Sequence, residues 1–214
     1  MKSFLGFGVL MFALTFCGLG DRLKQLQGGT SDNSTGSSNS SSNSSKSGDS
    51  KADKAEMTSA QRSIADAGTE VNWDDQGISW KVPNSWKKMD VKKESFNYGN
   101  VGEGFLIGSI SVMPDSFPAE TSVNATYDSA LEQLKQGKYE NVRWLEIDGV
   151  KGVEWVEAMP EEKDSPRRHQ WIAFRRYQGQ NQQLNIMVST KGSNFEKHRD
   201  MFAAIMYSMK IPKG

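Results

Sequence analysis

The sequence predicts an α+β domain, an antiparallel sheet of about six strands with helices packed on it. Three observations carry this reading. Short runs after Val71 alternate apolar with polar residues, turn signals such as Asp148-Gly149 join successive runs, and two segments in the second half repeat apolar residues at helical spacing. Consecutive hairpins force antiparallel pairing, and amphipathic helices need a sheet face to cover.

Ile78, Trp80 and Val82 form the first strand, which Pro83 ends because proline cannot donate to a ladder. Phe105 to Met113 is a second strand, with Leu106, Ile110 and Val112 on one face and Phe105 and Ile107 on the other. After Pro114 and Pro118 a helix is expected from about Asn124 to Gln136, its stripe made by Tyr127, Ala130, Leu131 and Leu134, with Gly137 as the left-handed residue that closes it. Val142–Ile147 and Val150–Met159 flank Asp148-Gly149, a strong hairpin signal. Arg168–Tyr177 and Gln182–Thr190 flank Gln178-Gly179-Gln180-Asn181 and make a second hairpin. The last helix opens on Ser193-Asn194-Phe195-Glu196, which reads as a capping box, and turns Phe195, Phe202, Ile205, Met206 and Met209 toward the sheet.

The N-terminal part has a different character. Lys2 precedes an apolar run from Phe4 to Phe16 that is too short to cross a bilayer, and Cys17 follows it as the single cysteine of the chain. Leu14-Thr15-Phe16-Cys17 resembles a bacterial lipoprotein lipobox, although Phe16 stands where such motifs usually carry a small residue. The resemblance implies a signal peptide over 1–16, a diacylglycerol on Cys17 and a membrane anchor of two acyl chains. An ordinary signal cleaved after Gly20 and an uncleaved anchor are the alternatives. Residues 28–50 hold 11 serines with Gly, Asn and Thr and no apolar residue, so they cannot bury enough surface to offset their ordering entropy. With 51–70 they form a tether (17–70) whose segment 51–67 makes at most a transient helix around Met57, Ala60 and Ile64. The folded domain is expected over 71–214. The Asn-x-Ser/Thr matches of the tract follow from its composition.

The order of elements bears a family resemblance. Gly77-Ile78-Ser79-Trp80-Lys81-Val82-Pro83-Asn84-Ser85-Trp86, a strand delivering a Pro-x-x-Trp turn, resembles the opening of the PsbP/Mog-type superfamily. The Gly/Ser-rich strand at Gly104–Val112, the helix, the Asp148-Gly149 hairpin, the second long hairpin and the C-terminal helix continue it over about 71–211. The resemblance implies an α/β/α sandwich around an antiparallel sheet and a protein that docks to something larger, with no catalytic residues to carry over and no cofactor.

Charge and residue chemistry narrow the function classes. The chain has 26 basic and 26 acidic residues, a balance that gives no electrostatic case for binding nucleic acid. His169 and His198 are the two histidines, with no His or Cys at metal-ligand spacing beside them, so no metal site is expected. Gly99–Gly104 precedes a strand and lacks the Lys-Ser/Thr of a phosphate loop, and the acidic turn Glu161-Glu162-Lys163-Asp164 lacks the ligand alternation of a calcium loop. Six tryptophans remain, of which Trp73 and Trp86, in loop-like sequence, are candidates for partner or ligand contact. Arg167 and Arg168 belong to basic pairs able to face an acidic partner or anionic headgroups, as do Lys87-Lys88, Lys92-Lys93 and Arg175-Arg176.

The sequence therefore reads as an extracytoplasmic lipoprotein of the bacterial envelope, tethered to the membrane. Its domain is a non-enzymatic binding or accessory module for a membrane or envelope protein. The alternative is a module that holds an apolar small molecule or lipid between sheet and helix. A hydrolase built on His169 and Glu154 is the third class.

Overall fold

The computed structural model describes residues 51–212. The expected signal peptide, Cys17 and the serine-rich part of the tether lie outside them. In chain order the elements are β1 (Asp53–Lys54), α1 (Ser59–Ala67), β2 (Thr69–Trp73), β3 (Ile78–Val82), β4 (Lys87–Lys92), β5 (Ser95–Asn100), β6 (Gly104–Met113), α2 (Ala119–Lys135), β7 (Tyr139–Ile147), β8 (Val150–Glu157), β9 (Pro166–Tyr177), β10 (Gln180–Lys191) and α3 (Gly192–Tyr207). Eight strands form one sheet in the order β1-β7-β8-β9-β10-β6-β5-β4, antiparallel throughout except for the parallel β1–β7 pair, and β2 with β3 forms a second, two-stranded sheet. The fold is α+β, a sheet covered by helices.

The two faces of the large sheet carry separate apolar clusters, and the period of two along each strand explains the division. Leu145, Val156, Trp171, Ala173, Leu184, Ile186 and Leu106 point to the face covered by α3 and the β2–β3 hairpin. Trp144, Val153 and Trp155 point to the other, where they meet Ala130, Val123 and Tyr127 of α2. The α3 side chains expected to face the sheet, Phe195, Phe202, Ile205 and Met206, are all buried, as is Met209 just past the helix. Each such side chain is worth ~1.5–3 kcal/mol relative to exposure, which makes this face the main source of stability.

The two hairpin turns follow from their residues. Asp148 and Gly149 have φ of 50° and 88°, and Gln178 and Gly179 have 49° and 77°. Left-handed conformation at both central positions gives a turn whose twist matches that of the strands it joins. Gly137, at φ 71°, closes α2 as expected. Gly152 serves close approach instead: a Cβ there would lie 2.6 Å from Trp171 Nε1, which donates to the Leu145 carbonyl at 3.1 Å.

Several boundaries differ from expectation. Among the described residues the first element begins at Asp53, ahead of the boundary expected at 71. Thr58 and Gln61 form a reciprocal capping box on α1, which packs beside α3, and β1 adds to the open edge of β7. The capping box expected at Ser193 is not formed: α3 starts at Gly192, Ser193 Oγ donates to Asp164, and Glu196 is drawn to Arg167 and Arg199. A buried guanidinium claims that carboxylate, because leaving Arg167 unpaired would cost far more than a helix cap supplies. Helix α2 starts at Ala119, five residues ahead of Asn124, and β4 and β5 occupy a stretch to which the sequence pattern assigns no element.

Candidate binding cleft

Pro83 ends β3 and begins a turn in which the Trp86 amide donates to the Pro83 carbonyl at 2.9 Å. This turn is fastened on both sides. Asn84 accepts from Thr69 Oγ1 at 2.5 Å and donates to the Ala67 carbonyl at 3.2 Å, while Ser85 Oγ and Trp86 Nε1 both donate to one Glu103 oxygen, at 2.9 and 2.8 Å. The clamp fixes where β4 begins, and with it the position of the sheet edge relative to the small hairpin above.

A cleft of about 470 Å³ opens there. One wall is β2 with the turn that follows it, presenting Glu70, Asn72 and Asp74; the other is the Pro83 turn and the outer strands of the large sheet, presenting Trp86, Lys88 and Tyr98. Strand β2 pairs with β3 alone, whereas β3 is closed on its far side by the C-terminal segment, Ser79 and Lys210 exchanging backbone hydrogen bonds at 3.1 and 2.9 Å. Among the described residues, the edge of β2 that faces the cleft is therefore free of backbone partners. Strand β4 is likewise the last strand of its sheet. It is exposed and lysine-rich, and Met89 at 52% is among the most exposed large apolar side chains described.

The residues singled out from sequence fall in different places. Trp73 is fully buried, with Nε1 donating to the Lys92 carbonyl at 2.7 Å and its ring packed on Trp80 and Phe96, so it is a core residue and not a contact. A residue read as loop-like proves to end β2 with its side chain turned inward. Trp86 lines the cleft, although only 5% of it is exposed. Arg167 is 1% exposed, its guanidinium shared among Glu196 Oε1 at 2.6 Å, the Glu157 carbonyl at 2.7 Å and Glu140, and it lies over the Phe195 ring. This arginine too is unavailable to a partner. Arg168, partly exposed, holds Glu157 at 2.8 Å. Cys17 lies outside the described residues.

His169 and Glu154 do meet. Glu154 Oε1 lies 2.7 Å from His169 Nε2 and accepts from Tyr207 Oη at 2.8 Å, while Arg143 Nε donates to Oε2 at 2.5 Å and Arg143 Nη2 donates to Tyr207 Oη at 2.9 Å. Burial alone would raise the Glu154 carboxyl, but the hydrogen bonds and charges of His169 and Arg143 outweigh it and hold the group at about 2. Burial also pushes the Tyr207 hydroxyl well above its usual range. Both Glu154 oxygens are thus occupied within the protein, and both partners of the pair are buried. The network joins β7, β8 and β9 to the end of α3, and no cleft reaches it among the pockets described. Its geometry is that of a satisfied structural cluster.

At the opposite end of β9, Arg175 donates to Gln182 Oε1 at 3.0 Å and to the carbonyl and side-chain oxygens of Gln76 at 3.0 and 2.9 Å, and burial lowers it to about 10. Among the described residues no group of three or more His, Cys, Asp or Glu side chains is placed to hold a metal ion, and no helix is long and apolar enough to cross a membrane. The signal that sequence reading missed is the free edge of β2, which depends on how two sheets stack and leaves no motif.

No protein-family model matches the chain, and no curated protein does. Solved structures similar to it include cyanobacterial PsbP from Synechocystis sp. PCC 6803, at 16% identity and a TM-score of 0.43 over 68% of this chain and 94% of that one. LpqN of Mycobacterium tuberculosis, described as involved in cell envelope biogenesis, is similar at 13% identity and a TM-score of 0.45 over 68% and 86%. A Bacteroides thetaiotaomicron protein is similar at 15% identity and a TM-score of 0.41 over 64% of this chain, the match spanning 45% of its own length. PsbP and LpqN carry the PsbP/Mog-type fold to which the order of elements was likened, and the likeness is one of fold.

Proposed function

We propose that this protein is a membrane-tethered extracytoplasmic lipoprotein whose domain acts as a non-enzymatic binding or accessory module for an envelope or membrane protein. The observation that carries the binding role is the cleft beside β2, where a free strand edge, an aromatic floor and charged side chains of both signs converge at the surface. The residues best suited to chemistry support the same reading, since Glu154, His169, Arg143 and Tyr207 spend their polar atoms on one another. The tether rests on the sequence alone, on Cys17 after its apolar run and on the polar tract that follows. Storage of an apolar ligand between sheet and helix is disfavoured, because Trp73, Trp80 and Trp171 fill one of those layers with almost no exposure.

The test is cross-linking in intact cells that express the native chain, followed by purification and mass spectrometry, in parallel with Cys17→Ser. A stoichiometric membrane or envelope protein captured by the native chain and weakened by Cys17→Ser is the expected result. Capture of no protein, with the native chain still at the membrane, would overturn the accessory reading.

A further inference from the structure

We infer that the cleft beside β2 takes an extended peptide of a partner protein as a third strand of the β2–β3 sheet, with basic and apolar residues alternating along that peptide. The inference rests on the binding role proposed above and names its mode. The β2–β3 hairpin lies on the large sheet, its Trp73 ring 5.8 Å from Phe96 of β5 and its Nε1 bonded to the Lys92 carbonyl of β4. One flank of the hairpin is closed by the C-terminal segment through Ser79 and Lys210. On the other flank, beyond β2, Tyr98 and Lys88 of the layer below are left open, and the cleft runs past Thr69, Glu70, Val71 and Asn72, along the strand itself. A strand edge presents one residue's N–H and C=O in every two, which is the template that strand addition uses.

The alternation of side chains on a strand then specifies the occupant. Along β2, Val71 and Trp73 point down into the core while Glu70 and Asn72 are exposed above. A strand added in the same plane places every second side chain down, on Trp86 and on Tyr98, whose ring is stacked on Phe96 at 4.8 Å. That row favours apolar residues, and Lys88 beside it disfavours basic ones. The other row faces upward next to Asp74 and to Glu70, whose exposed carboxylate meets Lys81 of β3 at 3.4 Å and has room for a second cation on the cleft side, so cross-strand pairing favours Lys or Arg. Both charges sit on exposed side chains, so the pairing sets the choice of partner and the register more than the total affinity.

The experiment uses the full chain in detergent and three synthetic peptides: one alternating lysine with valine, one alternating glutamate with valine, and the lysine-valine peptide N-methylated at alternate amides. Tryptophan fluorescence reports occupancy of the floor and amide hydrogen exchange reports protection of β2. The lysine-valine peptide is expected to bind saturably and to slow exchange at alternate amides of β2. N-methylation of the edge that pairs should abolish this, and Glu70→Gln with Asp74→Lys should weaken it at least tenfold at low salt while moving the unfolding midpoint little. Absence of saturable binding, equal binding of the methylated peptide, tighter binding of the glutamate-valine peptide, or self-association of the chain through β2 would each overturn the inference. A partner captured in cells whose cross-links map away from this cleft would overturn it too, while leaving the accessory reading intact.

Discussion

His169 on β9 and Glu154 on β8 are diagonal neighbours across adjacent strands, Nε2 to Oε1 2.7 Å apart, and both are buried beneath the end of α3. The pair is one arm of a network whose other arms are Arg143 and Tyr207. A buried carboxylate survives there because every one of its contacts is a donor.

Acid stability follows from that carboxylate. Burial, which raises its pKa, is outweighed by His169 and Arg143, so Glu154 sits at about 2 in the folded protein against 4.5 unfolded. A depressed pKa stabilises the fold fully above the unfolded value, and the contribution is lost as pH falls from about 4.5 toward 2. The size is on the order of 3 kcal/mol. Urea unfolding followed from pH 6 to pH 2 should show the midpoint falling in this window, and Glu154→Gln should be less stable at pH 6 with a flatter decline. An equal decline in the variant would show that other carboxylates set the acid limit.

Arg167 predicts a different signature. Its guanidinium spans Glu196 and Glu140, which also share Arg199, and it rests on Phe195. Lysine carries one ammonium and cannot reach both carboxylates with a planar fork. Arg167→Lys should cost ~2–4 kcal/mol, and Arg167→Ala should cost at least as much because its removal leaves Glu140 and Glu196 dependent on Arg199. Denaturant midpoints of the two variants check this; a loss below ~1 kcal/mol would mean that the cluster behaves as a surface ion pair.

Close approach at Gly152 can be tested by adding one methyl group. The Cβ of alanine would stand 2.5 Å from the Ile172 carbonyl oxygen and 2.6 Å from the Trp171 indole nitrogen, both held in the sheet. Gly152→Ala should destabilise by ~1–3 kcal/mol and perturb the Trp171 environment, which near-ultraviolet circular dichroism reads. Gly149→Ala is the contrast: nothing lies within 4 Å of its Cβ, and its cost comes from φ of 88° alone.

The legible part of the fold was the part with strong periodicity. Strands β6 to β10 run eight or more residues each, and β7–β8 and β9–β10 are joined by turns with distinctive chemistry, so their existence and those two pairings could be read. Strand β4 could not, since Lys87-Lys88-Met89-Asp90-Val91-Lys92 is an edge strand whose lysines guard an open ladder and whose pattern a bulge interrupts. Helix α1 has only Ala65 buried, so its stability comes from its cap and from α3, whose Asp200 is 139 residues from Gln61 in sequence and leaves no local mark. For the site, Trp86 was singled out from its loop-like sequence, and the turn that Pro83 begins places its ring in the wall of the cleft. Trp73 and Arg167 were misjudged for one reason: burial of a side chain depends on which elements stack above it, and Glu140 and Glu196 stand far from Arg167 in the sequence.

The start of the domain is the last point on which sequence and structure differ, and truncation decides it. The Gly68 position is pressed against the Val82 carbonyl, and α1 leads from there to the Thr58–Gln61 cap and to β1, whose Ala55 amide donates to the Glu146 carbonyl at 2.9 Å. A chain beginning at 71 loses two residues of β2, all of α1 and the strand that covers β7. It also uncovers part of α3, including the Gln61 to Asp200 hydrogen bond at 3.0 Å. A fragment spanning 51–214 should therefore unfold at a clearly higher urea concentration than one spanning 71–214, and Thr58→Ala in the longer fragment should cost ~1 kcal/mol through loss of the cap. Equal midpoints for the two fragments would return residues 51–70 to the tether, with α1 resting on the domain without supporting it.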